Sequence, residues 1–216
     1  METSPGAALS MRLKQATREL HVQAERSGVM VELLGARISR AAYCALLRNL
    51  HAMYAALEAA LDAHADSPQL RGLCLPGLRR LPGLAHDLDR LHTGPWRSEL
   101  ALVPAALAYV QRLRALAQSA PVLLAAHAYV RYLGDLHGGQ MLARRVQHCF
   151  DLDAEAGTAF YSFGDAAEVE RLRHGLRAAL DALALGPAEA DALIAEACAA
   201  FRLHRQLFEE LQPLAG

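Results

Sequence analysis

The sequence predicts an all-α protein built as one multi-helix domain, and three observations predict it. Alanine and leucine dominate while β-branched residues are scarce, a composition that favours helix over strand. No segment sustains the apolar–polar alternation of a half-buried strand, whereas apolar stripes at three- and four-residue spacing recur along the chain. With 216 residues and 53% hydrophobic content, the chain can bury one large core without disulfides or a structural metal.

Composition also excludes several function classes. A formal net charge of −1 leaves no surplus of Lys and Arg to hold a phosphate backbone, so nucleic acid is not an expected partner. Cys44, Cys74, Cys149 and Cys198 are widely spaced and contain no C-x-x-C pair, as fits four thiols in a reducing compartment. No apolar signal core opens the chain. The longest uncharged run, about 115–130, is interrupted by Gln118, Ser119, Pro121 and His127, so no membrane span is expected. The expectation is a soluble, cytoplasmic monomer with a flexible N-terminus over 1–9, a domain over 10–212 and a short tail over 213–216.

The elements follow in order. Ser10 can cap a first helix over about 10–26, with Leu13, Thr17, Leu20 and Ala24 at helical spacing. Gly28 follows it, then a short helix over Val29–Leu34. Ser39 can cap a long helix to about His64, whose stripe is Tyr43, Leu46, Leu47, Leu50, Tyr54, Leu57 and Leu61. Ser67-Pro68 ends it, and 71–82, with two prolines and two glycines, reads as a connection. A short helix over Leu84–His92 precedes the turn Thr93-Gly94-Pro95, after which Trp96 is expected to anchor a turn. Pro104–Ala117 is helical, and Pro121 sits in the first turn of a segment reaching about 149. The stretch 151–165 reads as a loop or broken helix. Glu168–Leu183 is helical, and Gly186-Pro187 starts a last helix that runs to about Leu211. Seven to nine helices with no repeat make one bundle-like domain.

Three arrangements could carry chemistry. In the first helix, Lys14, Thr17, His21 and Glu25 follow one side. Glu25, one turn beyond His21, could accept from one ring nitrogen and leave the other for a metal. An ordinary surface ion pair has the same spacing. The second arrangement is sharper. The run His127-Ala-Tyr-Val-Arg-Tyr-Leu-Gly-Asp-Leu-His-Gly-Gly-Gln140 places Gly134, Gly138 and Gly139 inside a helical pattern, each at roughly 1 kcal/mol relative to alanine. Close helix packing and a flat ligand lying on bare main chain both account for them. In either case the glycines should loosen the helical ladder and bend the helix. Asp135 and Arg131, i and i+4 partners beside them, could order water and pass a proton. The third is cationic: Arg173 and Arg177 repel slightly at i, i+4, which favours either an anionic partner or a solvated face, with Lys14 and Tyr129 as further anion contacts. The other histidines, His51, His64, His86, His92, His127, His148 and His174, read as surface or capping residues, and His204 as one that could reach a pocket edge.

Taken together, Leu13-Lys-Gln-Ala-Thr-Arg-Glu-Leu-His-Val-Gln-Ala-Glu25, the run 126–140 and the ending Ala200-Phe-Arg-Leu-His-Arg-Gln-Leu-Phe-Glu-Glu-Leu211 resemble the biliverdin-producing haem oxygenases of the bacterial and mammalian-like type. The resemblance runs from about 10 to 212. It implies haem b, as both cofactor and substrate, held between a proximal helix and a bent distal helix. It places His21 as the iron ligand, with Glu25 as its hydrogen-bonding neighbour. Gly134, Gly138 and Gly139 match the positions where main chain approaches the haem, the Gly138 amide donating to bound oxygen. Asp135 matches the carboxylate of a distal water network that includes Arg131 and Tyr54. Lys14, Tyr129 and Arg177 match groups that hold the haem carboxylates, with Arg173 as an additional cation, and Phe201 matches an aromatic wall.

The implied reaction is oxidative ring opening by O2. Electrons would come from a ferredoxin, a flavodoxin or a flavin reductase, and biliverdin (the α isomer), CO and ferrous iron would be released. One departure stands out: His137 occupies a position where the pattern usually has serine. Its ring could point away toward solvent or a neighbouring helix, join the distal network, or coordinate iron. A haem carrier without turnover would need His21 and the cations but not the glycines with Asp135, and a helical interaction module would need none of them.

Overall fold

The computed structural model describes residues 7–152 and 156–214, and every regular element among them is helical. The helices are α1 (Leu9–Glu25), α2 (Gly28–Leu34), α3 (Arg40–Ala63), α4 (Leu81–Leu91), α5 (Trp96–Glu99), α6 (Pro104–Ser119), α7 (Leu124–Ala128), α8 (Gly134–Phe150), α9 (Ala166–Asp181) and α10 (Pro187–Leu211). A π turn over Tyr129–Leu133 joins α7 to α8 end to end. Counting that rod as one helix and setting aside the single turn α5 returns the expected number.

The long third helix carries the core. Its Ser39 cap accepts from the Ala42 amide at 3.1 Å, and its stripe from Tyr43 to Leu61 is buried. Each leucine so buried contributes roughly 1.5–3 kcal/mol. Helices α4 and α6 pack on α3, while α10 runs against α1, α2, α6 and α7. The cavity described below therefore lies between α1 and α2 on one side and the α7–α8 rod on the other, with α10 as its floor.

Several boundaries differ from the sequence expectation, each for a visible reason. Ala8, not Ser10, is the N-cap of α1. Ser10 lies inside the helix, and its amide and hydroxyl donate to the Asp181 carboxylate at the end of α9, at 2.7 and 2.9 Å. Of the expected flexible 1–9, residues 1–6 lie outside the described residues. Of the expected tail, Gln212–Leu214 form a 3-10 turn, and 215–216 lie outside the described residues. Helix α4 starts at Leu81, because Pro82 fits a first turn whose amide is unbonded anyway. Helix α9 starts at Ala166, because the Asp165 side chain caps it by accepting from the Glu168 amide at 2.8 Å. In the 151–165 stretch, residues 153–155 lie outside the description. Ala159–Tyr161 form a 3-10 turn whose Ala159 and Phe160 amides both donate to buried Asp87 at 2.8 Å. Trp96 is buried and donates its indole N–H to Asp89 at 2.6 Å.

Two glycine findings shape the site. Gly28, the first residue of α2, has φ +46°, and a Cβ there would sit 1.9 Å from the Phe208 carbonyl oxygen on α10. The α1–α2 corner thus rests main chain on main chain. The ladder irregularity expected at the distal glycines is displaced toward the N-terminus: Tyr129–Leu133 takes the π turn, and Gly138 and Gly139 lie within regular α-helix. Their amides are accordingly committed to the helical ladder.

Candidate functional site

A crevice of two adjoining lobes, about 340 and 480 Å³, separates α1 from the distal rod. Each lobe falls within the range of small-molecule sites. His21, Val130, Gly134, His137 and Phe201 border both lobes. The inner lobe is walled mainly by apolar side chains, among them Met30 and Leu33 of α2, Leu46 and Leu50 of α3, and Phe208 of α10. The outer lobe keeps an apolar lining, with Met11, Val22, Leu133 and Phe201, but adds the cations Lys14, Arg18 and Arg177 and the Tyr129 hydroxyl at its edge. An amphipathic plate, apolar through its body and anionic along one edge, matches that division.

On the α1 side, His21 is half-exposed, its Nδ1 faces Glu25 Oε2 at 3.7 Å, and its ring meets Phe201 edge-on at a 5.8 Å centroid distance. The separation from Glu25 is beyond a hydrogen bond. This orientation leaves Nε2 available toward the crevice, as a metal-binding imidazole requires. The Thr17 hydroxyl donates to the Leu13 carbonyl at 2.8 Å and lies 3.2 Å from the Tyr129 hydroxyl, joining α1 to the π turn.

The glycines of the distal rod have two different roles. A Cβ at Gly134 or Gly138 would meet nothing within 4 Å, so both leave open space on the crevice side. Gly139 departs from expectation: a Cβ there would contact the Tyr161 carbonyl oxygen at 3.5 Å, and Gly139 does not line either lobe. It faces the 3-10 turn behind α8, where it serves packing.

Behind the glycines lies a buried polar cluster. Arg131 Nη2 donates to Asp135 Oδ1 at 3.0 Å, and the Tyr54 hydroxyl donates to Asp135 Oδ2. Tyr54 does not border the crevice itself and reaches it only through that carboxylate. Burial pushes the Asp135 carboxyl above its ordinary range, opposed by the Arg131 charge and by the Tyr54 hydrogen bond. Arg131 Nη1 meets His204 Nε2 at 3.1 Å, while His204 Nδ1 lies 2.9 Å from the Ala200 carbonyl. A carbonyl only accepts, so Nδ1 carries the proton and Nε2 accepts from Arg131. Burial, then the Arg131 charge, hold His204 well below the usual histidine range, and it stays neutral. His204 borders the inner lobe, as the sequence allowed.

His127 is a correction. Expected at the surface, it is fully buried: its Nε2 donates to Glu196 at 3.1 Å, and its Nδ1 accepts from the Tyr109 hydroxyl at 2.8 Å. Arg112 Nε closes that second cluster, donating to Glu196 at 3.0 Å. Sequence reasoning missed Tyr109, Glu196 and Arg112 because their partners lie on three different helices.

Among the cations, Lys14 and Arg177 line the outer lobe, and among the described residues neither has a carboxylate within ion-pair distance. Arg173 departs from expectation. It pairs with Glu170 at 2.5 Å and donates to the Leu136 carbonyl at 3.2 Å, so it buttresses α8 from behind and does not border the lobes. His137 bridges helices, its Nδ1 lying 2.6 Å from the Leu133 carbonyl and its Nε2 3.1 Å from Arg177 Nη2 on α9.

Comparison with known proteins agrees with this geometry. A family model described as heme oxygenase matches residues 7–210. The chain is 35% identical over 204 residues to heme oxygenase 1 of Nostoc sp., covering 94% of this chain and 86% of that protein. It is 36% identical over 208 residues to human heme oxygenase 1, covering 95% and 72%. Among solved structures, heme oxygenase-1 from Synechocystis sp. PCC6803 in complex with heme is similar with a TM-score of 0.90 at 35% identity, covering 96% of this chain and 93% of that one. The heme oxygenase of Leptospira interrogans gives a TM-score of 0.90 at 30% identity, covering 94% and 100%. A matching family model over nearly the whole chain, relatives above 30% identity and a crevice with a free imidazole facing bare helix agree on one assignment: the chain belongs to the heme oxygenase family of haem-degrading enzymes.

Proposed function

We propose that this protein opens the ring of haem b oxidatively, releasing biliverdin, CO and ferrous iron. The single observation that carries this reading is the pairing of an available His21 imidazole with the open backbone at Gly134 and Gly138 across a mainly apolar lobe. An apolar cradle that a Cβ would begin to fill, facing a neutral nitrogen donor, fits a flat metalloporphyrin. Bound there, haem supplies an iron that binds O2 and a ring edge that is oxidised.

The chain's own residues do the rest. His21 Nε2 would be the metal ligand, with the Glu25 carboxylate one turn on lying beside Nδ1. A neutral imidazole gives none of the electron push that a thiolate provides toward O–O cleavage. Lys14 and Arg177, with the Tyr129 hydroxyl beside them, face the carboxylate edge of the substrate, and the charge of these two cations, which meet no carboxylate among the described residues, sets its direction. Phe201 closes the wall beside His21. Asp135 holds a proton-exchanging carboxyl, fixed by Tyr54 and Arg131 and set back behind the glycines, so it acts through water instead of by direct contact. Reducing equivalents come from an external ferredoxin, flavodoxin or flavin reductase. The resemblance of Lys14, Tyr129 and Arg177 to the carboxylate-holding groups of the α-selective type supports the α isomer. Among the described residues no helix is long and apolar enough to cross a membrane, in keeping with a soluble, cytoplasmic enzyme.

The test is direct. The protein is titrated with hemin, then given a reductant in air. The expected result is saturable one-to-one binding, then loss of the Soret band with a green product that chromatographs as α-biliverdin. Binding with a persistent Soret band would leave only a carrier, and a β or δ product would overturn the isomer assignment.

A further inference from the structure

His137 stands where the two lobes meet, and both its ring nitrogens are engaged. The Leu133 carbonyl can only accept, so Nδ1 carries the proton. Nε2 is then an acceptor, and it faces Arg177 Nη2 at 3.1 Å. The bridge ties the distal rod to α9 one turn beyond the π segment. Arg177 has no other partner of opposite charge among the described residues, whereas Arg173, one turn earlier on α9, is held by Glu170 and the Leu136 carbonyl. The only hydrogen bond restraining the Arg177 side chain among the described residues is therefore the one it donates to the imidazole. Burial and the charges of Arg173, Arg177 and Lys14 disfavour protonating the ring, which keeps it an acceptor.

We propose that His137 is a specificity-determining positioning residue: by accepting from Arg177 while anchored on Leu133, it fixes where the guanidinium meets the carboxylate edge of the substrate, and so which ring edge faces Asp135. This rests on the haem reading above. A freely rotating Arg177 would still supply charge, but it would allow the plate to seat in more than one rotation. Orientation, more than gross affinity, is what the latch controls.

The experiment compares wild type with His137→Ala, His137→Gln, Arg177→Ala and the Ala–Ala double variant. Each is titrated with hemin and with hemin dimethyl ester, whose carboxylates are neutral, and the bilin isomers are then resolved chromatographically. Wild type is expected to prefer the free acid. His137→Ala should reduce that preference about 10-fold, the scale of one hydrogen bond to a charged group, and should turn one dominant isomer into a mixture. The double variant should be no worse than Arg177→Ala, since one residue acts through the other. His137→Gln, whose amide oxygen can still accept from Arg177, should restore both readouts. In the apoprotein, 15N shifts should show His137 as the Nδ1–H tautomer.

An unchanged acid-to-ester preference and isomer ratio in His137→Ala would overturn the assignment, as would additive losses in the double variant or an Nε2–H tautomer. A wild-type protein that fails to bind hemin would instead remove the haem reading, and this inference with it.

Discussion

The two walls of the crevice are built on opposite principles. On the α1 wall, His21 and Glu25 are about half-exposed, joined by one loose contact at 3.7 Å. On the distal wall, Asp135 is buried and held by Tyr54 from α3 and Arg131 from its own rod, and Arg131 is braced in turn by His204 of α10. A group that must coordinate can sit on one helix and be oriented by a neighbour one turn away. A group that must manage a proton needs a defined position and a low-dielectric setting, which only several helices together provide. The polar groups of the first wall can therefore be altered without disturbing the fold, whereas truncating a member of the distal polar cluster leaves its buried partners unpaired.

The largest effect should come from the exposed wall. His21→Ala is expected to abolish turnover and to change the ferric spectrum, while the apoprotein melts within about 0.5 kcal/mol of wild type, as a half-exposed side chain should. Glu25→Ala, removing only the outer partner, should cost about 10-fold. A cooperative loss of apoprotein stability in His21→Ala would erase the contrast between the walls.

Next comes Asp135→Asn, expected to lower kcat about 100-fold, the lower end of acid–base contributions, while hemin affinity stays within a few-fold. Equal losses in binding and turnover would recast Asp135 as a wall of the pocket.

Gly138→Leu probes the distal wall where its main chain is bare. Because a Cβ there meets open space, the substitution should raise apoprotein stability by about 1 kcal/mol through helix propensity. It should also weaken hemin binding about 10-fold by filling the cradle. Gly139, packed on Tyr161, should not show that gain. Calorimetry of the two leucine variants side by side decides it.

The smallest effect is a slope. His204 is held well below its ordinary value, and His51, half-buried against Trp96, is pushed down to about 4. The unfolded chain binds these protons near pH 6.5 and the folded one does not. Their contribution to stability is therefore present above about pH 6.5 and declines as the pH falls toward the folded values. Melting temperature should drop on acidification, and less so in His204→Gln. Parallel curves for the two proteins would show that the buried wall does not couple to protons this way.

What the sequence makes legible follows the same division. The helices with an apolar stripe and a polar cap, α3 above all, are readable because periodicity and capping are local. So is the His21–Glu25 spacing, one turn apart on a single helix. The glycine run points to the crevice, but only packing separates Gly134 and Gly138, which face open space, from Gly139, which faces Tyr161. Arg173 and Arg177 are indistinguishable as a repeated charge; Glu170 and the Leu136 carbonyl tell them apart. His127 reads as an ordinary surface histidine until α6 and α10 bring Tyr109 and Glu196 to it. The π turn leaves no mark of its own in the residues 129–133, a segment that packs against both α9 and α10.

The contact beneath Gly28 has a consequence for the crevice as a whole. Helix α2 supplies Met30 and Leu33 to the wall, and its starting point is set by main chain meeting the Phe208 carbonyl. The width of the opening is thus gauged by two backbones at their closest approach. Drift among neighbouring side chains cannot reset that gauge, whereas a single methyl group at position 28 would wedge the jaws apart from a place that touches no substrate.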